Sequence, residues 1–156
     1  MQHRMKTHPL TQQQINALLT ASAVGTLATL DADGAPYALP VHFVWEDGSI
    51  YIHGLPRGQK LDNIARDGRV SFMTYRMDGL LMPDNDIPCD VNTQYESVVI
   101  RGIAALVEAP ERKAAILRRI VEKYTPQLKD HPLPEAMVAG TAVIQVIPET
   151  ITGKYY

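Results

Sequence analysis

The sequence predicts a single domain built as a small antiparallel β-barrel with flanking helices. Five or six short apolar segments are separated by turns, a pattern typical of strands joined by hairpins. Short segments with helical spacing interrupt these strands, but strands and long helices do not alternate as they do in a doubly wound parallel sheet. A chain of 156 residues, 46% of them hydrophobic and 21% charged, can bury one core without disulfides or metals.

The chain is predicted to start with a loose arm over residues 1–9. In the segment LTQQQINALL, Thr11 can cap a helix while the Gln14 side chain reaches back to it, which is the capping-box arrangement. The apolar residues that follow recur at helical spacing, so they share one face. We therefore expect a short N-terminal helix after the arm.

Three strands are predicted to follow as an antiparallel meander. They correspond to the segments VGTLATL, YALPVHFVW and SIYIHG. The first connection contains Asp33-Gly34 and the second contains Asp47-Gly48, dipeptides that tight hairpin turns favour because glycine adopts positive φ without steric cost. Each of these strands is therefore expected to pair with the next.

A short helix, a fourth strand and a long loop are expected next. Residues 60–66, KLDNIAR, carry apolar side chains at helical spacing and are followed by Gly68, a frequent helix terminator. RVSFMTYRM then has the pattern of a strand. Residues 77–94 contain prolines, a glycine and several Asp and Asn residues without a sustained period. The sequence therefore predicts a long loop here, and long loops in compact domains are often functional.

The C-terminal half is predicted to contain a strand, a helix and a last strand. YESVVIRGIAALVEA is strongly apolar, and its interior Gly102 indicates a bulge or a bend. Pro110 opens the segment with the clearest helical spacing in the chain, and Pro126 ends it. The terminal segment TAVIQVIPETITGKYY returns as a strand.

Charge and composition point to no macromolecular partner. The net charge is −2, whereas nucleic acids and anionic membranes select clustered basic surfaces. No apolar run approaches the ~20 residues that span a bilayer, and residues 1–8 lack the apolar core of a secretion signal. The single cysteine, Cys89, excludes an internal disulfide. These observations predict a soluble cytoplasmic protein.

The turn between SIYIHG and the short helix is a candidate anion site. A helix N-terminus offers unpaired backbone N–H groups and a partial positive charge. Lys60 adds a full positive charge in the first turn, next to Gln59 and close to Arg57. This combination suits a phosphate. The alternative is a solvated surface lysine, since a single G-x-K pattern is weak evidence.

Two histidines are candidates for ligand contacts. His53 ends a strand next to Gly54, where its ring can face a bound molecule or cap the strand through one backbone hydrogen bond. His42 lies in an alternating strand, where it can be a wall of a site, a dimer contact or an exposed side chain.

No H-x-E or C-x-x-C pattern completes a zinc site with these two histidines. Acidic neighbours weaken Cys89 as a nucleophile. A haem needs only one exposed imidazole in an apolar pocket, which His53 can supply.

The order of these pieces carries a family resemblance. ATLDADGAPYALPVHFVW, SIYIHG, the turn RGQKLDNI and YESVVIRGIAALVE follow one another as in the flavin-nucleotide-binding split barrels of the pyridoxamine 5'-phosphate oxidase superfamily. Within it, SVVIRGIAALVEAPERKAAILRRIVEKYTP and the terminal ITGK resemble the nitroimidazole-resistance (Nim-type) proteins. The likeness runs from about Leu10 to Lys154. No single motif is decisive, but the ordered set is specific.

The resemblance implies a six-stranded antiparallel split β-barrel that works as a homodimer, with FMN at the subunit interface. By the same comparison, the backbone of residues 40–43 and the start of the HGLPRG turn would line the flavin. Residues 96–99 would approach it from the partner. Lys60, with its neighbours, would hold the phosphate. The implied cofactor-binding residues are Lys60, Gln59, Gly58, His53, Gly54, Leu55, Pro40, Val41, His42, Phe43, Glu96, Ser97, Val98 and Val99.

The function that the resemblance implies is flavin-dependent reduction of a small organic acceptor, such as a nitro compound. The flavin would transfer the electrons, and His53 would be the catalytic proton donor. The C-terminal ETITGKYY lacks the arginine-containing motif of true pyridoxamine phosphate oxidases, so oxidation of pyridoxamine phosphate is not implied. Two alternatives remain open: a non-catalytic flavin carrier or sensor, and a haem-binding protein.

Overall fold

The computed structural model describes residues 6–84 and 87–156. Residues 1–5 of the predicted loose arm lie outside the described residues. Helices with both ends in this range are α1 (Gln12–Ala21), α2 (Gln59–Arg66), α3 (Pro110–Tyr124) and α4 (Glu135–Ala139). Strands in the same range are β1 (Val24–Leu30), β2 (Pro36–His42), β3 (Val44–Glu46), β4 (Ser49–Gly54), β5 (Arg69–Leu81), β6 (Asn92–Leu106) and β7 (Ala142–Tyr155). Short 3₁₀ turns occupy Pro88–Asp90 and Pro126–Leu128.

The seven strands of the described chain form one antiparallel sheet, in the order β2-β1-β5-β6-β7-β4-β3. β2 and β3 are its two edges, so the sheet curves without closing. The prediction of a mainly antiparallel β fold with flanking helices is confirmed. The prediction of six strands is wrong, because one segment that was expected to form a single strand contains two.

The expected three-strand meander is only partly present. β1 pairs with β2, and β3 pairs with β4, as the two Asp-Gly turns predict. The segment YALPVHFVW, however, breaks at Phe43, and its two halves lie on opposite edges of the sheet. The Phe43 amide donates to the Tyr124 hydroxyl at the end of α3 (2.8 Å). A tertiary contact from far along the chain thus replaces a ladder hydrogen bond at this point.

The loop expected over residues 77–94 is shorter than predicted, because residues 77–81 and 92–94 belong to two paired strands. β5 continues to Leu81 and β6 begins at Asn92, and these two residues pair with each other. The register shifts just before, between Met77 and Gly79. An extra residue at such a bulge breaks the alternation by which a strand is recognised in a sequence. Of the described residues, 82–84 and 87–91 lie outside the two strands and include the 3₁₀ turn Pro88–Asp90, so the loop prediction is confirmed for this part.

Elements with local sequence signals lie where they are predicted. The capping box of α1 is complete, with the Gln14 amide donating to Thr11 Oγ1 and the Thr11 amide donating to the Gln14 side chain (2.9 Å). α3 begins at Pro110 and ends just before Pro126. The bulge predicted at Gly102 is present as a register shift between β6 and β7.

The last residues of the N-terminal arm are tied to the sheet. Pro9 forms a bridge with Lys154, and the Tyr155 amide donates to the His8 carbonyl (3.1 Å). The His8 ring also packs edge-on against the Tyr155 ring, with 5.4 Å between centroids. The expectation of a loose arm is therefore wrong for residues 8 and 9, because β7 is long enough to pair with them.

Two apolar clusters stabilise the domain. The larger fills the inside of the curved sheet and includes residues from α1 and α2: Ile15, Leu18, Leu19, Leu61 and Ile64. The smaller lies on the outer surface of β4 and β7, where Tyr51 and Val143 pack against α3 and against Val138 of α4. β4 is therefore buried on both faces. None of the helices in the described range has the length and hydropathy of a membrane-spanning segment.

Gly102→Ala is expected to destabilise the fold. A Cβ at this position would overlap the Ile147 carbonyl oxygen and lie 3.0 Å from Pro148 Cα, and these backbone atoms cannot turn aside as a side chain can. We expect the unfolding free energy to fall by roughly 1–3 kcal/mol, the usual cost of overpacking, in chemical denaturation. Ala105→Val adds volume at an exposed site of the same strand and serves as the control. Equal stability of G102A and the wild type would contradict the close approach.

Candidate functional site

The candidate site begins where β4 leaves the sheet. Its earlier residues are buried, whereas His53 and Gly54 at its end are half-buried. These two residues pair with Val143 and Ala142, which start β7. Pro56 follows shortly after and cannot donate to a ladder, so the chain turns away from the sheet here. The end of β4 is therefore held by its pairing with β7 on one side, whereas its other side, toward the turn, is open to a ligand.

The turn ends at Gly58, which is the N-cap of α2. Its φ of 135° lies in the region that favours glycine. No side chain caps this helix, so the backbone N–H groups of Gln59 and Lys60 have no acceptor within it. Arg57 and Gln59 are exposed. The N-terminus of α2 is therefore accessible to a ligand that accepts hydrogen bonds.

Lys60 is half-buried and folds back over the end of β4. Its Nζ lies 2.8 Å from the position that a Cβ on residue 54 would take. Gly54 therefore leaves the space in which the ammonium group sits. This placement differs from that of a fully solvated surface lysine, the alternative left open by the sequence.

The His53 ring has an unmet hydrogen bond. Its Nδ1 is buried and has no hydrogen-bond partner among the described residues. Burial lowers the pKa of His53 below its ordinary value of 6.5, and the nearby charges of His42 and then Lys60 lower it further. The imidazole is therefore mainly neutral at neutral pH. Leaving such a nitrogen unpaired costs about 1–3 kcal/mol, which a bound ligand can recover.

His42 joins the site from the opposite edge of the sheet. Its ring stacks on Tyr124, with 4.7 Å between centroids and 24° between planes. Lys123, the preceding residue of α3, donates to the Phe43 carbonyl (3.0 Å), and its Nζ lies 4.2 Å from the centre of the Phe43 ring. Burial lowers the pKa of Lys123 to about 8. Lys123 still carries its charge at neutral pH, so the end of α3 adds a cation to this edge.

The four residues at the end of β2 that were predicted to line a flavin differ in what they expose. Pro40 and His42 are exposed, whereas the side chains of Val41 and Phe43 are buried in the main core. Val41 and Phe43 can therefore offer only backbone atoms to a ligand. β2 is an edge strand, so backbone groups on its outer side lack a strand partner.

The residues predicted to reach a flavin from a partner lie on β6. β7 separates this strand from β4, so the structure does not bring them into the cluster around His53 and Lys60. Val98 is fully buried in the core, and Ser97 and Val99 face the opposite side of the sheet. Glu96 forms an ion pair with Arg76 (2.9 Å). Their approach to a flavin held by a second copy stays a prediction.

A cavity that the sequence analysis missed adjoins His53. It has a volume of about 420 Å³ and is lined by His53, Gly54, Leu55, Ala136, Met137, Gly140 and Thr141. Its far wall is α4, a helix of five residues between Pro134 and Gly140. These two helix breakers are the local signal that could have found it. A single helical turn is too short to show a period.

The cluster offers positive charge and hydrogen bonds rather than a nucleophile. Within the described range, no group of three His, Cys, Asp or Glu side chains is arranged to hold a metal ion. Lys60 and the α2 N-terminus suit an anion, and the edge of β2 and the cavity beside His53 suit the remainder of a larger ligand. The arrangement therefore fits a phosphate-bearing organic molecule.

An open antiparallel sheet with this kind of pocket at one strand end defines a split-barrel protein. The family model for pyridoxamine 5'-phosphate oxidase matches residues 11–155, and the chain belongs to this family. The superfamily predicted from the sequence is therefore confirmed.

One sequence relative and two proteins of similar fold illustrate what the chain resembles. Over 100 residues, the chain is 35% identical to a 5a,11a-dehydrotetracycline/5a,11a-dehydrooxytetracycline reductase of Streptomyces rimosus; the match covers 62% of this chain and 63% of the reductase, somewhat less than two thirds of its length. A candidate 5-nitroimidazole antibiotic resistance protein of Bacteroides thetaiotaomicron shares the fold with a TM-score of 0.79 at 24% identity, over 94% of this chain and 85% of its own. An FAD- and haem-binding protein of Mycobacterium smegmatis has a TM-score of 0.82 at 19% identity, over 93% and 71%.

His53 is expected to titrate below its ordinary pKa of 6.5, and its pKa is expected to rise in Lys60→Gln. Removal of the nearby ammonium makes protonation of the imidazole easier. NMR of ring-labelled histidine measures both values, and Lys129→Gln, at an exposed lysine beyond α3, is the control. A wild-type pKa at or above 6.5 would contradict the burial of this ring.

The same pKa shift predicts a pH dependence of stability. The unfolded chain binds the His53 proton more readily than the folded protein does, because the folded pKa is the lower one. The contribution of this group to the unfolding free energy should therefore fall as the pH drops from 6.5 through the folded pKa. Denaturation at several pH values, compared between wild type and His53→Gln, isolates this contribution.

Proposed function

We propose that this protein binds FMN and acts as a flavin-dependent reductase of a small conjugated acceptor. The observation that carries the proposal is the convergence of three groups at the end of β4: the Lys60 ammonium, the uncapped N-terminus of α2 and the unpaired Nδ1 of His53. A cation beside free N–H groups binds a phosphate well, and the histidine leaves one hydrogen bond for a reactant beside the cofactor.

The residues present fit FMN from its phosphate to its ring. Lys60, Gln59 and the Gly58 backbone would hold the phosphate, and the outer edge of β2 would offer backbone hydrogen bonds to the ring. Leu55 would supply an apolar contact near Gly54. Membership of the pyridoxamine 5'-phosphate oxidase family supports this assignment. The Mycobacterium protein of similar fold binds FAD. FMN is favoured here because it ends in a single phosphate, which matches the single cationic cluster at Lys60.

A bound flavin would supply the electron transfer, so the chain need only bind, orient and shield the reactants. His53 would hydrogen-bond to a reactant beside the flavin and hold a proton close to it. Reduction of a conjugated acceptor is supported by the name of the Streptomyces reductase, and a nitro compound is supported by that of the Bacteroides protein. A carrier that binds flavin without turnover would share every binding feature and differ only in reducing no acceptor.

Haem is the second candidate cofactor. A neutral imidazole with an unpaired ring nitrogen is the form that ligates iron, and the lowered pKa of His53 keeps it in that form. The Lys60 cluster favours the flavin, because a phosphate would accept hydrogen bonds both from the lysine and from the N–H groups of the α2 N-terminus.

We also propose a homodimer that covers the outer face of β5 and β6. α3 and α4 cover the outer face of β4 and β7, but the outer face of β5 leaves Met73, Tyr75 and Met77 between 40% and 52% exposed. Tyr75 packs near Tyr95 of β6, at 5.6 Å between ring centroids. A contiguous apolar face on a sheet is the kind of surface that a second copy buries.

Titration with FMN and riboflavin tests the flavin proposal. The wild type should show a bound-flavin absorbance band and bind FMN more tightly than riboflavin. Lys60→Ala should weaken FMN binding by roughly 1.5–3 kcal/mol, the contribution of a hydrogen bond to a charged group, and should leave riboflavin binding unchanged.

Lys129→Ala is the matched control for this titration, since that lysine is exposed and far along the chain from β4. Equal losses for FMN and riboflavin in Lys60→Ala would remove the phosphate assignment. A Soret band with no flavin uptake would replace flavin by haem.

Tyr75→Glu is expected to dissociate the dimer, because it places a charge in the centre of the apolar face. Light scattering should give the mass of two chains for the wild type and of one chain for the variant. Leu128→Glu, at a residue of similar exposure beyond α3, should stay dimeric. A wild type that is monomeric at all concentrations would refute the interface.

A further inference from the structure

We infer that the cavity between His53 and α4 is the acceptor subsite of this protein, and that Met137 limits the size of the acceptor. The inference rests on the proposed function, since an acceptor must bind beside the flavin. The occupant is a flat conjugated molecule that carries an anionic or strongly hydrogen-bond-accepting oxygen, such as a nitroaromatic carboxylate.

The size and walls of the cavity suit a small ring system. Its volume of about 420 Å³ lies within the ~300–1,000 Å³ usual for small-molecule pockets. Leu55 and Met137 line it and are 76% and 67% exposed, so both present apolar surface to a molecule in the cavity. Leu55 stands on the turn after β4 and Met137 stands on α4, so a flat ring can lie between two apolar walls.

The charges around the cavity select the kind of acceptor. The lining contributed by the described residues contains no carboxylate. His53 is part of the lining, and its Nδ1 has no hydrogen-bond partner among the described residues, so it is available to an oxygen of the acceptor. This environment favours an electron-rich oxygen on the ligand and disfavours a cation.

The backbone of α4 is firmly held although the helix is short, so residue 137 has a defined position at the wall of the cavity. The Thr141 hydroxyl donates to the Met137 carbonyl (2.7 Å), and Lys113 Nζ donates to the Ala139 carbonyl (3.2 Å). Val138 is buried in the outer apolar cluster. A change at position 137 should therefore alter the volume of the cavity without moving the helix.

The groups proposed for the FMN phosphate stand at the start of α2, and Gly58, Gln59 and Lys60 are not among the residues that line the cavity. Met137 is on a different element from Gly58, Gln59 and Lys60. Substitutions at Met137 should therefore separate acceptor binding from flavin binding. This separation is what the experiment measures.

The experiment compares Met137→Trp, Met137→Ala and the wild type, each without flavin for the FMN titration and loaded with FMN for the acceptor titrations. Isothermal titration calorimetry gives the affinity for FMN, for 4-nitrobenzoate and for the two-ring 4-nitro-1-naphthoate. Met137→Trp should weaken 4-nitrobenzoate at least about tenfold, as expected for filling a pocket of this size, and leave FMN affinity within about twofold. Met137→Ala should shift preference toward the two-ring probe. Leu128→Trp, at an exposed position beyond α3, is the control and should match the wild type.

The outcomes distinguish this inference from the proposed function. If the wild type binds no flavin, the proposed function fails, and this inference fails with it. If FMN binds but 4-nitrobenzoate affinity is the same in Met137→Trp, the acceptor subsite lies elsewhere and the flavin assignment stands. If Met137→Trp abolishes FMN binding while its circular dichroism spectrum stays native, the cavity holds part of the flavin, and the inference is overturned.

Discussion

The architecture depends on how Phe43 is held. Its amide donates to the Tyr124 hydroxyl (2.8 Å), and its carbonyl lies 3.0 Å from Lys123 Nζ and 2.7 Å from the same hydroxyl. Its ring is fully buried edge-on against Phe72, at 4.7 Å between centroids. These contacts satisfy the backbone groups that a continuing strand would have paired, so the chain can leave one sheet edge and enter the other without an unpaired buried amide. The end of α3 thus decides that the sheet stays open.

The same constraint assembles the site. Because β2 stops at His42 and β3 starts the opposite edge, the end of β2 comes close enough to the end of β4 for His42 to influence the protonation of His53. In a closed barrel, ladder hydrogen bonds would join the two edges of the sheet. Because the edges stay unpaired, backbone groups of an edge strand lie beside a lysine and a helix N-terminus. Neither hairpin could form this combination alone.

The sequence predicted what local chemistry determines and missed what distant contacts determine. The capping box at Thr11, the two Asp-Gly turns and the bulge at Gly102 were predictable, because each is encoded within a few residues. The break at Phe43 was not, since the alternation of YALPVHFVW runs through it and its cause lies in α3. Lys123 was missed for the same reason: helical spacing gives no sign that it differs from the exposed Arg119 and Glu122 beside it. Of the candidate site, Lys60 and His53 were found from the turn between them, whereas α4 was too short to leave a pattern.

The electrostatics of the site explain why residue types alone indicate a cofactor more clearly than a reaction. Burial, and after it the charges of His42 and Lys60, lowers the pKa of His53 and keeps the ring neutral, and a neutral imidazole is a hydrogen-bond partner rather than a strong acid. An anion bound beside Lys60 would offset that positive charge, and the pKa of His53 would then rise again. The capacity of His53 to deliver a proton is therefore coupled to the presence of an anionic ligand. Burial remains the largest influence on this pKa, and an anion beside Lys60 would offset only the smallest of the three.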